Sequence, residues 1–273
     1  MKKLFPLILF FACLTVEAQN DTIVNFLNRK GLPTQDKSEA IGYQAIIKRS
    51  DSLYKVMRFQ LNGKLFAYWF STSTDVKSKI GQSITVDTND SIATVDFYGK
   101  NGLKNGKSEG WFDNRNRNFV GRYVNGKKEG LWRYYHYNGK IAKQAFYRND
   151  QFVKGAYFDE DGNKMKAPLE DRPETLFKGG RSAYDKEIKN IKNRIKKTLG
   201  RKFRTKYSFQ MQMTYTVGVD GKIKDVTILN EVPKDVKSLV VNNIRNISGW
   251  TPKINHNRKL PARINNAITI NFQ

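Results

Sequence analysis

Pairs of Asn or Asp with Gly, or with each other, recur through the middle of this chain. Asn125-Gly126, Asn138-Gly139, Asn149-Asp150 and Asp161-Gly162 follow one another at 13, 11 and 12 residues. Upstream stand Asn62-Gly63, Asn101-Gly102 and Asn105-Gly106. Such pairs accept the positive φ of a tight hairpin turn, and between apolar runs they are the strongest short hairpin cue. The runs between them are aromatic, as in Phe66-Ala67-Tyr68-Trp69-Phe70 and Gly130-Leu131-Trp132-Arg133-Tyr134-Tyr135. One full repeat is 24 residues, because Tyr123-Val124-Asn125-Gly126-Lys127 realigns with Tyr147-Arg148-Asn149-Asp150-Gln151. A lone hairpin of that size cannot bury its own face, whereas stacked hairpins bury a shared one. The expectation is a single twisted antiparallel sheet, extended rather than closed, its edges guarded by lysines.

The remainder of the chain divides around that array. Residues 19–50 are polar and read as helix or coil, with a strand end at Asn25-Phe26-Leu27 and a turn at Gly31-Leu32-Pro33-Thr34. The hairpin region is placed at 19–164, and a charged, proline-bearing linker at 165–174. From 175 to 273 the pattern becomes helix, strand, strand, helix, strand. Tyr184, Ile188, Ile191, Ile195 and Leu199 recur at helical spacing, with Ser182 and Asp185 as a capping box. Tyr207 to Val219 alternates, Asp220-Gly221 turns, and Ile223 to Leu229 returns. Pro233 opens a second helix through Val236, Val240, Ile244 and Ile247; Trp250-Thr251-Pro252 ends it, and Ala262 to Phe272 alternates to the close. The fold class expected is therefore mixed: an antiparallel β-hairpin repeat sheet followed by a small α+β unit.

Charge and the leader narrow the setting. There are 49 basic and 25 acidic residues, a net charge of +24, which favours anionic partners. Lys2-Lys3, the apolar run from Leu4 to Val16 and the small residue Ala18 form a secretory signal over 1–18, too short to be a comfortable membrane span. Export, with little aromatic interleaving among the lysines, disfavours nucleic acid. Cys13 is the single cysteine and lies inside the leader, so the mature chain would have no disulfide; no Leu stands three residues before it, which disfavours a lipoprotein.

Two resemblances rest on these residues. Tyr123 to Lys140 resembles a bacterial MORN repeat, with looser matches over 97–122 and 141–164. The last hundred residues resemble the C-terminal domain of the TonB family. The shared features are Phe177-Lys178-Gly179-Gly180, the strand Val217-Gly218-Val219-Asp220-Gly221-Lys222-Ile223, the Trp250-Thr251-Pro252 motif and the closing Ile268-Thr269-Ile270-Asn271-Phe272. Phe177, Gly179, Gly180, Trp250 and Pro252 are thus expected to be structural. The resemblance implies a periplasmic or envelope adapter that adds a strand from an outer-membrane transporter, or another envelope protein, along Asn266, Ile268, Ile270 and Phe272. It also implies that strands can be exchanged into a homodimer.

A second patch is read from charge. From Lys178 to Lys206 there are 12 basic residues and 2 acidic ones. Lys189, Lys192, Lys196, Arg201 and Arg204 are expected to meet an anionic partner, with peptidoglycan or anionic lipid as the alternatives to protein. No catalytic motif, phosphate loop or metal-ligand spacing is present, so no enzyme activity, metal or cofactor is expected. His136 and His256 read as ordinary repeat and loop residues, and Asp159 to Asn163 as a hairpin turn rather than a calcium loop.

Overall fold

The structure is a computed structural model and describes residues 22–28, 30–87, 89–200 and 207–272. The leader with Cys13, and Arg201 and Arg204 of the basic patch, lie outside the described residues.

Thirteen strands form one antiparallel sheet: β1 (Thr22–Leu27), β2 (Pro33–Thr34), β3 (Gly42–Ser50), β4 (Leu53–Gln60), β5 (Leu65–Ser71), β6 (Lys79–Val86), β7 (Ile92–Tyr98), β8 (Lys104–Trp111), β9 (Arg117–Val124), β10 (Lys127–Tyr135), β11 (Ile141–Arg148), β12 (Gln151–Phe158) and β13 (Lys164–Met165). From β3 to β13 the spatial order is the sequence order, and β1 lies between β3 and β2. The ends do not meet, so the sheet is open. The strand end expected at Asn25-Phe26-Leu27 is there, but the strand is longer: residues 22–27 pair along their whole length with β3 from Thr22↔Ile47 to Leu27↔Gly42. Ile23, Val24 and Phe26 are good strand formers, and β3 offers the free edge on which they pair.

The turns follow the Asn-Gly pattern for a visible reason. Asn125 and Gly126 both have positive φ (47° and 81°), as do Asn149 and Asp150 (52° and 67°), so each pair closes a two-residue hairpin. At Asn62, Asn101 and Asn138 the side-chain oxygen accepts a backbone N–H two residues on, at 3.1, 3.1 and 3.0 Å. Asp159 does the same work in the β12–β13 turn, accepting from the N–H groups of Asp161 and Asn163. Asn105-Gly106 is the exception. It lies within β8, where the register slips against β7 and Gly106 has φ 120°; the pair forms a bulge rather than a turn.

Cross-strand partners share a sheet face. One face carries the row Ile46, Val56, Trp69, Ser83, Asp96, Ser108 and Gly121, and resumes past the β9–β10 bulge with Trp132, Ala145 and Gly155. Two small cores sit on it, around Trp69 and around Trp132. Trp132 is 2% exposed and packs on Phe119, Tyr123, Tyr134 and Tyr147. Its indole lies over Gly121 and fills the space that a Cβ there would need.

The C-terminal unit begins with β14 (Leu176–Phe177) and α1 (Gly180–Leu199). It continues with β15 (Tyr207–Val217), β16 (Ile223–Ile228), α2 (Lys234–Arg245), β17 (Trp250–Thr251), the short hairpin β18 (Lys253–Asn255) and β19 (Arg258–Leu260), and β20 (Ala262–Phe272). Its antiparallel sheet has the order β16-β15-β20. Both helices pack their apolar stripes on one sheet face, burying Ile188, Ile191 and Ile195 of α1 and Val236, Val240 and Ile244 of α2 against Met211, Tyr215 and Ile270. The Ser182 capping box does not form. Helix α1 starts three residues earlier than that cap would place it, at Gly180, and its cap is Gly179 in the left-handed region (φ 85°) with no side-chain hydrogen bond. Among the described residues no helix is long and apolar enough to cross a membrane.

Candidate functional site

The edge of the smaller sheet is built by β20. Its register with β15 runs from Tyr207↔Phe272 to Val217↔Ala262. On the other side of β15, the Gln212 oxygen accepts from Leu229 N–H, the Gln210 oxygen accepts from Asn230 Nδ2, and Gln212 N–H donates to Asn230 Oδ1. Gln210 and Gln212 therefore turn their backbone groups away from β20. Their opposite numbers, Thr269 and Ala267, must turn theirs away from β15 and out of the sheet, because antiparallel pairs alternate in this way. By the same alternation Asn265 and Asn271 also face outward, whereas Asn266, Ile268 and Ile270 bond to β15.

This parity places the four expected strand-addition residues. Ile268, Ile270 and Phe272 are 3%, 0% and 3% exposed, with side chains in the core beneath the helices. Asn266 alone reaches the edge: its Nδ2 donates to Tyr184 Oη and its Oδ1 accepts from Ala267 N–H at 2.8 Å. The backbone groups that face outward belong to the residues between them.

Beside the first half of β20 lies a groove of about 800 Å³, walled by α1 and by Ile264 to Ala267, with Phe177 and Trp250 among the residues that line it. The structural motif residues converge here. Phe177 pairs with Trp250 across β14 and β17, their ring centroids 5.1 Å apart. Tyr184 packs on both, at 5.5 and 5.2 Å, and its hydroxyl meets that of Tyr215 at 2.8 Å. Burial raises both tyrosine hydroxyls above their ordinary value, Tyr215 strongly, so they remain neutral donors and acceptors. Gly179 and Gly180 supply two successive positive φ values that turn β14 into α1. Pro252 lies just beyond β17, and its carbonyl accepts from Arg172 at 2.7 Å. Trp250 Nε1 and Thr175 Oγ1 are buried beside the groove with no hydrogen-bond partner.

The basic patch divides. Lys189 and Lys192 line the groove; Lys196 is exposed one turn further along α1 and does not. Glu174 and Asp185 line it as well, and Asp185 faces Arg181 at 3.5 Å.

A second constellation has no counterpart in the expectations above. His256, read as a loop residue, stands at the tip of the β18–β19 hairpin and stacks on Tyr134 of the large sheet at 4.1 Å. It and Asn257 both have positive φ, 55° and 65°. Asn257, 1% exposed, donates from Nδ2 to the carbonyls of Ala142 (3.1 Å) and Phe158 (2.8 Å) and accepts from Leu169 N–H (2.7 Å). Arg258 is 4% exposed and donates to Asn118 and to the Tyr135 carbonyl. Burial lowers His256 to about 3, helped by Lys143, Lys128 and Arg258, so the ring is neutral. The segment 165–174 is fastened to the same hairpin: Arg172 bridges to Ile254, and Asp171 accepts from His256 N–H. It acts as a strap rather than a free tether. His136 is buried, with its Nε2 2.9 Å from the Phe158 carbonyl. No family model matches this chain, and no curated protein matches it.

Proposed function

We propose that the chain is an exported envelope adapter that takes an extended segment of a partner protein as an added strand along β20, as the resemblance to the TonB C-terminal domain implies, with outer-membrane transporters as the partner class. The observation that carries this reading is the outward-facing backbone of Asn265, Ala267, Thr269 and Asn271 running along an edge beside a groove. An incoming strand would satisfy those groups, taking over the Ala267 N–H from Asn266 Oδ1. The affinity expected is modest. Backbone hydrogen bonds contribute about 0.5–1.5 kcal/mol each, and ordering the segment offsets much of the sum, so binding is roughly micromolar.

A proline at Ile268 would remove a β15 ladder bond and a core side chain together. Thr269→Pro removes only an outward N–H, and proline is tolerated at such a position on an edge strand. Calorimetry on the full chain with synthetic extended peptides from transporter N-termini is expected to show binding that Thr269→Pro loses, with unchanged circular dichroism. Equal affinity in the two proteins would end the strand-addition reading. A second reading is favoured by Lys189 and Lys192 in the same groove: an envelope scaffold that holds peptidoglycan or anionic lipid by charge. Binding of that kind would survive Thr269→Pro and fall steeply with salt.

A further inference from the structure

The large sheet carries a second repeat, one of chemistry rather than turns. Lys79-Ile80-Gly81, Lys104-Asn105-Gly106 and Lys128-Glu129-Gly130 recur at 25 and 24 residues, each near the start of its strand. All three glycines have positive φ (66°, 120° and 68°), and the register slips near each of them. A bulge of this kind re-aims the side chains around it. Here the three lysines come to the face that holds the tryptophans. Lys79 Nζ lies 4.7 Å from the Trp69 ring centroid and 5.1 Å from that of Tyr98; Lys104 Nζ lies 5.1 Å from Tyr123; Lys128 Nζ lies 4.9 Å from Trp132 and 5.1 Å from Tyr147. Tyr98, Tyr123 and Tyr147 keep the same interval, so ring and ammonium alternate across the sheet.

Charge along this row is poorly balanced. Asp96 pairs with Lys104 at 2.7 Å and accepts from Ser108 at 2.6 Å. Lys79 and Lys128 form no ion pair among the described residues. Burial and neighbouring cations hold both below the ordinary lysine range, and Arg58 adds a further cation over Trp69. The C-terminal unit reaches the row at its Lys128 end, where Lys128 Nζ donates to the Tyr134 hydroxyl at 3.0 Å and His256 stacks on the same ring; among the described residues it makes no contact with Lys79 or Lys104. Its hairpin docks on Tyr134, Ala142 and Phe158, toward the turns at 112–116, 136–140 and 159–163, whereas the lysines sit beside the opposite turns at 99–103, 125–126 and 149–150.

We infer that this row is a binding track for a linear acidic polysaccharide carrying one carboxylate in every second sugar. The lysines stand on every second strand, so their spacing is about 9.5 Å, comparable to the rise of two sugar residues in an extended chain. Twist selects a chain over a surface. Each strand step turns about 20–25°, so Lys79 and Lys128, four steps apart, point about 80–100° away from each other. A flat lipid surface cannot meet all three, whereas a flexible polymer can wind across them. The track is separate from the β20 groove and does not depend on its function.

The test uses the full chain with hyaluronan oligosaccharides, an alternating acidic and neutral polymer, against neutral chito-oligosaccharides and phosphatidylglycerol vesicles. Calorimetry is expected to show hyaluronan binding that falls tenfold or more in the variant Lys79→Gln/Lys104→Gln/Lys128→Gln. Arginine at the same three positions should retain it. Lysine acetylation of the unaltered protein, mapped by mass spectrometry, gives a readout independent of any variant's folding: saturating hyaluronan should protect Lys79, Lys104 and Lys128. No protection at those lysines, or equal affinity for the neutral oligosaccharide, overturns the inference. Vesicle binding with the same footprint and no hyaluronan binding overturns it in favour of lipid.

Discussion

At the scale of single residues, glycine does two jobs in the large sheet, and the two make different demands on a substitution. Gly81, Gly106 and Gly130 are needed for their positive φ. Gly121 is needed for its missing Cβ, since the Trp132 indole occupies that space. Gly121→Ala must therefore move a side chain that is packed by four aromatic rings. The expected cost is about 1–3 kcal/mol, the usual range for overpacking. It should appear as an earlier urea midpoint with a blue- or red-shifted tryptophan emission, because the indole is the atom group displaced. A midpoint within error of the parent would mean that Trp132 is not held where the structure puts it.

At the scale of elements, most strands were legible because turn chemistry and alternation agree locally. Asn125-Gly126 and Asn138-Gly139 both mark their hairpins, and the helical stripe from Ile188 to Leu199 is the stripe that is buried. Three things were not legible. Of the segment 22–27 the strand end at 25–27 was legible and its full length was not, since the run lacks alternation and is paired along the edge that β3 offers. The face that β20 buries could be read, but the edge it presents could not, since backbone direction depends on register with β15. The β18–β19 hairpin has the polar sequence Lys253 to Leu260, and what it packs against lies more than a hundred residues upstream. One cue was present: His256-Asn257 has Asn at the second position of a two-residue turn.

That hairpin should respond to acid. His256 titrates near 6.5 when released and near 3 when docked, so the undocked form takes up the proton first. Docking is at full strength above about pH 6.5 and weakens as pH falls toward 3. Lys143, Lys128 and Arg258 face the ring and deepen the effect, while the Asp171 carboxylate on the strap opposes it. Chemical denaturation at pH 7.5 and pH 5 should show a drop in midpoint that His256→Asn, which tolerates the left-handed turn, does not share. The same drop in both proteins would assign the acid sensitivity elsewhere.

At the scale of the whole molecule, two kinds of stability are joined through a small contact area. Each strand of the large sheet pairs only with its neighbours, so a disturbance at one end has little means of reaching the other. The C-terminal unit has a single shared core. The β18–β19 hairpin, together with the strap at 165–174, ties the core to strands β9–β13, and it is bounded in sequence by Trp250 of the groove and by β20 of the edge. Asn257→Gly keeps the backbone conformation permitted and deletes only the side-chain bonds to Ala142, Phe158 and Leu169. Hydrogen exchange in this variant should quicken over 164–175 and 250–262 while β3 to β8 keep their protection, because local openings follow local contacts. Quickened exchange at Ala267 and Thr269 would add that docking steadies the edge offered to a partner. Uniform loss of protection from β3 to β13 would instead mean that the thirteen strands and the C-terminal core unfold as one cooperative body, and that the hairpin is a keystone rather than a tie.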